Sequence, residues 1–421
     1  MGDGEFEGDA LQRMMGGDGF SPDLPARPGG KSAPLALRLL MYMLSGLRIG
    51  SLEVSLPNGA VRRFNGSQPG PHGVWHIRSA GLIRHVLAAG EVGIGDAYID
   101  GCWDSPDLTT LLRVLHMNEP YYKGPFEKNT LGRLYGWWQH RRRANTKQRA
   151  RQNIEHHYDL GNDFYKLWLD DTLAYSSAVY ETPVQDLHAA QLNKFRLMAE
   201  RLDLKPGQRL LEIGSGWGGF AIYAARQHGC EVHSITLSQE QLLEARARAE
   251  AAGVADRVRF ELRDYRDVQG QYDCVVSIEM YEAVGEEFWP GYFAAIARAL
   301  KPGGRAAIQG ITIAPALFDN YRGKRDFIQK YIFPGGMLCP PDRFEALARG
   351  AGLVPADARF HALDYAETLA QWHRNVLAAQ EAVLRQFDAR FLRMWRYYLS
   401  YCECGFRTGT VDLMQITLLK P

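Results

Sequence analysis

The stretch Arg209-Leu210-Leu211-Glu212-Ile213-Gly214-Ser215-Gly216-Trp217-Gly218-Gly219-Phe220 constrains the fold more than any other part of the chain. Its apolar run reads as a buried strand of a parallel sheet. The run ends in a glycine turn and opens into a helix at Phe220 to Ala225. Glycines there let backbone approach a ligand and take positive φ. Gly214, Gly216 and Gly219 fit the G-x-G-x-x-G spacing of dinucleotide sites. Such a site also wants an acidic residue about 20 positions on, at the end of the next strand. Here the next strand, Cys230 to Ile235, ends in Thr236-Leu237-Ser238. A different adenosine-containing ligand is therefore expected.

The following segments agree. Asn193 to Leu202 reads as a helix stopped by Lys205-Pro206-Gly207, and Gln239 to Ala252 as a long helix. Val258 to Leu262 is a third strand ending at Asp264-Tyr265, and Tyr272 to Ile278 a fourth ending at Glu279-Met280-Tyr281-Glu282. A helix over Trp289 to Leu300 leads to a turn at Lys301-Pro302-Gly303-Gly304, and Arg305 to Ile308 starts a fifth strand. Asp342 to Ala351 and Ala366 to Leu399 look helical, and Val411 to Leu419 strand-like. Alternating strands and helices imply an α/β doubly wound, mostly parallel sheet. Ligands bind such sheets at the carboxyl ends of the strands. The glycine turn, Thr236 to Ser238, Asp264-Tyr265 and Glu279 to Glu282 are all carboxyl ends, with Asp264 suited to an adenine amino group and Tyr265 to its ring face. This succession looks like a class I methyltransferase that uses S-adenosylmethionine.

Before this unit, residues 1–32 are rich in Gly, Asp and Pro and are expected to be disordered. Residues 33–116 read as a small amino-terminal α+β domain, with strands at Leu52 to Leu56, Ala60 to Phe64 and Trp75 to Ile77 and helices at Leu82 to Ala89 and Leu108 to His116. Residues 117–152 form a connector carrying Tyr121, Tyr122, Tyr135, Trp137 and Trp138, then six Lys or Arg between Arg141 and Arg151. A basic run beside aromatics suits an anionic membrane surface; a solvated helix face is the plain alternative. The methyltransferase domain is expected over residues 153–421.

With 421 residues there is material for two or three domains. A net charge of +1 gives no global field that would draw in nucleic acid or membrane. Six scattered cysteines are no disulfide framework, and no metal site is expected at Cys402-x-Cys404. No run reaches the ~20 apolar residues of a membrane span. Leu35 to Leu44 is the nearest and is interrupted by Arg38. A cytoplasmic protein that touches membranes peripherally is expected.

Several stretches resemble the cyclopropane fatty acid synthases and the related mycolic acid methyltransferases. They are His157-Tyr158-Asp159-Leu160-Gly161-Asn162-Asp163-Phe164-Tyr165, Leu173 to Ser177, Leu211 to Gly219, Thr236-Leu237-Ser238-x-x-Gln241 and Asp264 to Asp267. Glu279 to Gly285, Lys330 to Gly336 and, nearer the start, Gly95 to Asp104 complete the set. The resemblance implies transfer of a methylene group from S-adenosylmethionine to the cis double bond of unsaturated phospholipid acyl chains, giving cyclopropane fatty acids. It implies cofactor contacts at Tyr175, Ser176, Gly214, Ser215, Gly216, Trp217, Gly219, Thr236, Leu237, Ser238, Gln241, Asp264, Tyr265 and Glu279. It also implies a bicarbonate ion as base, held by Ser177, Glu282, Gln309, Ile311 and Tyr365, with Cys402 nearby. Better-known members carry Cys in place of Ser177, His in place of Gln309, and His after the glutamate where this chain has Ala283. A hydroxyl and an amide still hydrogen-bond an anion, but Gln309 cannot titrate.

The chemistry of the residues is consistent with this. Attack of an alkene on a sulfonium methyl leaves a carbocation on the chain, which aromatic faces stabilise, and a base must then take a proton. The partners expected are phospholipid acyl chains at a membrane surface and a second copy of the chain as a homodimer. Rival readings are C-methylation giving a methyl- or methylene-branched chain, methylation of a small soluble or other lipid-like acceptor, and a non-catalytic lipid-binding protein. Nucleic-acid methylation is disfavoured, because Glu279-Met280-Tyr281-Glu282 stands where amino-methylating DNA enzymes carry an Asn/Asp-Pro-Pro-aromatic loop.

Overall fold

The computed structural model describes residues 35–122, 160–182 and 184–421. The tail 1–32, the basic run 141–151, Trp137, Trp138 and the start of the His157 motif lie outside the described residues.

The first part of the chain builds a four-stranded sheet in the order β2-β1-β3-β4, from β1 (Ile49–Ser55), β2 (Val61–Asn65), β3 (Gln68–Ile77) and β4 (Trp103–Asp104). The Asn58-Gly59 turn makes β1 and β2 an antiparallel hairpin, with Gly59 at φ 82°. The apolar run noted at Leu35 is a ten-residue helix, Leu35–Leu44. Among the described residues no helix is long and apolar enough to cross a membrane. The helix Glu91–Ile99 was not expected; it carries the Gly95 motif.

The second sheet has seven strands: β5 (Arg209–Ile213), β6 (Glu231–Thr236), β7 (Val258–Leu262), β8 (Tyr272–Ile278), β9 (Leu300–Ile313), β10 (Val354–Phe360) and β11 (Val411–Leu419). Their order is β10-β11-β9-β8-β5-β6-β7. β11 is antiparallel to both neighbours, and the pairings among β5 to β9 are parallel. This is the α/β, mostly parallel sheet expected, with the glycine strand β5 between β8 and β6.

Two local expectations are corrected, and one strand was not expected. Lys301 to Gly304 is no turn between elements: it lies at the start of β9, where the register with β8 shifts. The single long helix expected to Leu399 is three, Ala362–Ala378, Gln380–Gln386 and Ala389–Arg407, the last started by Asp388, whose carboxylate accepts from Phe391 N–H. β10 was missed because it is a largely exposed edge strand containing Pro355, which an edge tolerates.

One hydrophobic core runs from the first sheet (Leu52, Val54, Trp75, Trp103) through helix Ala389–Arg407 (Trp395, Tyr397, Tyr398) to Phe164, Tyr165 and Trp168. Two motif stretches far apart in sequence meet here. Asp96 accepts both Lys330 Nζ and the Tyr331 hydroxyl at 2.7 Å, and Arg393 stacks on Tyr98 at 3.9 Å.

Candidate active site

The carboxyl end of β5 forms the floor. Gly214, Gly216 and Gly218 have φ of 95°, 50° and 83°, and the backbone N–H groups of Gly214 and Ser215 donate to the Ile235 carbonyl. A Cβ on Gly216 would meet nothing within 4 Å, so this glycine borders open space into which a ligand can come close. Gly219 has another reason: a Cβ there would lie 2.8 Å from the Thr172 carbonyl oxygen. It lets the helix Gly219–His228 pack tightly. Trp217, expected to touch the cofactor, packs its ring into the core. It is 2% exposed, its ring lies 4.8 Å from that of Tyr165, and Nε1 donates to Asn162.

The next strand end is a self-contained cap. Ser238 Oγ accepts from Gln241 N–H to start helix Gln239–Ala251, and Thr236 Oγ1 donates to Gln241 Oε1 while accepting from Ser238 N–H. Leu237 stands half-buried between them. At the end of β7, Asp264 accepts Arg266 through both carboxylate oxygens, at 2.8 and 2.6 Å. Tyr265 packs edge-on against Tyr292, and burial pushes its phenol up to about 12. The glycine turn, the cap and Asp264-Tyr265 thus lie along one sheet edge, as an adenosine cofactor requires.

The chemistry-bearing group at the end of β8 is Glu279. It was expected among the cofactor contacts, and in the fold its carboxylate accepts from three donors. Oε1 accepts from Ser177 N–H at 2.8 Å and from Gln309 Nε2 at 2.9 Å, and Oε2 accepts from the Tyr365 hydroxyl at 2.6 Å. Those are three of the five positions expected to hold an oxyanion. Burial raises the Glu279 carboxyl above its ordinary range, while the three hydrogen bonds and Lys194 pull it down. The Ser177 hydroxyl donates to the Ala178 carbonyl.

The remaining two expected positions pair with each other. Ile311 N–H donates to Glu282 Oε1, and Glu282 Oε2 is buried with no hydrogen-bond partner among the described residues. Burial first, and the Glu279 charge second, push Glu282 up to about 8. It is therefore protonated near neutral pH.

Aromatic rings wall the site. Tyr175 lies 5.4 Å from Trp168, 5.5 Å from Trp372 and 6.3 Å from Phe333, and its hydroxyl meets that of Tyr398 at 2.7 Å. Trp372 continues the wall to Tyr365. Ser176 accepts from Lys194 Nζ at 2.7 Å. Lys194 is fully buried, and burial lowers its ammonium to about 8; burial raises Glu212 to about 8. Cys402 sits half-buried against the first core, with its thiol pushed far up by burial. That suits a packing residue and not a nucleophile. Among the described residues no three His, Cys, Asp or Glu gather to hold a metal.

The sequence reading missed Lys194, Arg201 and Gln415. Lys194 was findable: with Gln191 it continues the buried face of helix Leu187–Leu202 set by Leu187, Ala190 and Met198, where a lysine is out of place. Arg201 and Gln415 gave no local signal.

A class I fold with a glycine cradle at the end of its first strand and polar groups along the neighbouring strand ends defines an S-adenosylmethionine-dependent methyltransferase. The chain belongs to the mycolic acid cyclopropane synthetase family, whose model matches residues 145–416. It is 39% identical over 356 residues to tuberculostearic acid methyltransferase UfaA1 of Mycobacterium tuberculosis, covering 82% of each chain. It is 35% identical over 362 residues to cyclopropane-fatty-acyl-phospholipid synthase of Escherichia coli K12, covering 85% of this chain and 90% of that one. The crystal structure of mycolic acid cyclopropane synthase CmaA1 with SAH and CTAB superposes with a TM-score of 0.61 at 28% identity, over 64% of this chain and 98% of that one. S-adenosylmethionine is the cofactor and lipid methylation the general activity.

Proposed function

We propose that the chain methylates the cis double bond of an unsaturated acyl chain on a phospholipid and removes a proton from the new methyl, forming a cyclopropane ring. The observation that carries this reading is the pair Glu279 and Glu282 behind an aromatic wall at the end of β8, the first held by three hydrogen-bond donors and the second kept neutral by burial. Bound S-adenosylmethionine supplies an electrophilic methyl, whose transfer leaves positive charge on the acyl chain. Tyr175, Trp168 and Trp372 would stabilise that charge and keep water away; a desolvated cation–π contact is worth ~2 kcal/mol. A carboxylate at hand makes proton loss the expected end of the reaction. The glycine turn, the Thr236–Gln241 cap and Asp264-Tyr265 would hold the cofactor, with Gly216 the point of closest approach.

Loss of the same proton after a hydride shift would give a methylene-branched chain. The non-titrating Gln309 where family members carry His favours keeping that product as the second reading. Cofactor with a trideuterated methyl tests the proposal on lipid extracts. A cyclopropane or methylene product keeps two deuteriums, and proton NMR tells ring from methylene. Retention of all three deuteriums would refute deprotonation of the transferred methyl.

A phospholipid substrate implies work at a membrane surface, which the basic run Arg141 to Arg151 beside Trp137 and Trp138 supports. Co-sedimentation with anionic vesicles that weakens with salt is the expected result. Equal binding to neutral vesicles would refute it.

A further inference from the structure

We propose that Glu279 is the base of this site: its own carboxylate stands where an exchangeable oxyanion such as bicarbonate would be held, and it takes the proton lost from the transferred methyl. This rests on the methyl-transfer reading above and assigns a residue to its last step.

The first argument is occupancy. Ser177 N–H, Gln309 Nε2 and the Tyr365 hydroxyl all donate to Glu279. The other two members of the expected anion set, Ile311 and Glu282, bond to one another. The donors that would cradle a small oxyanion already hold a carboxylate that is covalently part of the chain.

The second argument is polarity. The orientation of the Gln309 amide follows from a relay that begins at a residue with no acceptor. Arg201 Nε donates to Gln415 Oε1, Gln415 Nε2 donates to Gln309 Oε1, and Gln309 Nε2 is left to donate to Glu279. With Ser177 N–H also obliged to donate, Glu279 Oε1 receives two hydrogen bonds and is stabilised as a carboxylate. The buried ammonium of Lys194 adds to this.

The third argument is placement. Glu279 has φ +50°, a left-handed conformation that costs a non-glycine residue about 1–2 kcal/mol. Gln309 holds it there from both ends: its carbonyl accepts Glu279 N–H at 2.8 Å while its side chain donates to the carboxylate. Strain at a strand end that over-determined contacts maintain is the pattern of a functional residue.

The step balances without an outside reagent. The C–S bond breaks as the new C–C bond forms, releasing S-adenosylhomocysteine and leaving a cation on the acyl chain. A C–H bond of the new methyl then breaks. Its electron pair closes the ring onto the cationic carbon, and its proton passes to Glu279, which returns it to solvent when the products leave.

The test uses the full chain with S-adenosylmethionine and vesicles of unsaturated phospholipid. Wild-type turnover is expected to be the same in carbonate-free buffer and with added bicarbonate. Glu279→Gln should lose ~100-fold or more of kcat, the usual span of a general base, with cofactor affinity by calorimetry within about 2-fold of wild type. Glu279→Gly relaxes the positive φ, so it folds where a bulkier change could fail; it should lose turnover and regain it with bicarbonate. Bicarbonate dependence of the wild type, undiminished turnover in Glu279→Gln, or a loss of cofactor affinity that accounts for the loss of turnover would each overturn the assignment. Failure of the methyl-transfer reading shows separately, as a wild type that makes no methylated lipid at all.

Discussion

Two glycines of one turn answer to different physical demands, and paired substitutions separate them. Gly216→Ala adds a methyl that touches nothing within 4 Å, so its folding penalty is the left-handed φ of 50° alone, about 1–2 kcal/mol. In a domain of this size that lowers the thermal midpoint by about 2–8 °C. The same methyl points into the open space proposed to take the cofactor, and cofactor affinity should fall at least ~10-fold, or ~1.4 kcal/mol. Gly219→Ala reverses the balance. Its methyl would lie 2.8 Å from a backbone carbonyl and 3.1 Å from the Phe195 ring, so the helix must shift, at ~1–3 kcal/mol for overpacking. Its effect on affinity is indirect and smaller. Thermal melts without cofactor and titration calorimetry with S-adenosylmethionine measure both quantities. If Gly216→Ala binds cofactor as tightly as wild type, the turn is not the cradle and the assignment of the cofactor edge fails.

Glu282 keeps its proton in the folded state up to about pH 8, against an ordinary value of 4.5, so wild-type stability should fall as pH rises through that window. Glu282→Gln has no proton to lose and should gain on the wild type across it by up to ~1.4 kcal/mol per pH unit; a gap between their melting curves that does not change with pH would refute the buried neutral acid. Lys194→Met removes the cation whose charge pulls the Glu279 carboxyl down, and the acid limb of the pH–rate profile should move up; an unmoved limb would remove Lys194 from the electrostatics of the site. Asp96→Ala strands Lys330 and Tyr331 and should destabilise the fold by ~2 kcal/mol, with earlier proteolysis in the amino-terminal sheet; unchanged melting and proteolysis would show the contact to be incidental.

The sheet was legible in sequence where strands are buried on both faces, because Leu210-Leu211-Glu212-Ile213 and Cys274-Val275-Val276 leave few other readings. It was illegible at β10, whose exposed residues carry no periodic apolar signal. The site was half legible. Ser177, Gln309, Tyr365 and Glu279 were all named, but by a resemblance that sorted them into two groups, an anion set and a cofactor set. Only the fold shows that they are one group. Glu279 lies 102, 30 and 86 positions from Ser177, Gln309 and Tyr365, so no local spacing encodes their meeting. The relay behind Gln309 is more distant still, 106 positions to Gln415.

That relay runs through β11, which follows every other element in the chain yet sits inside the sheet between β9 and β10. During synthesis the glycine turn, the cap and Glu279 all leave the ribosome before the strand that fixes the Gln309 amide exists. Until Gln415 arrives, the amide of Gln309 is free to turn its oxygen toward Glu279 and repel it. The nascent chain can thus build a cofactor cradle first, and only the insertion of β11 makes the carboxylate beside it fit for use.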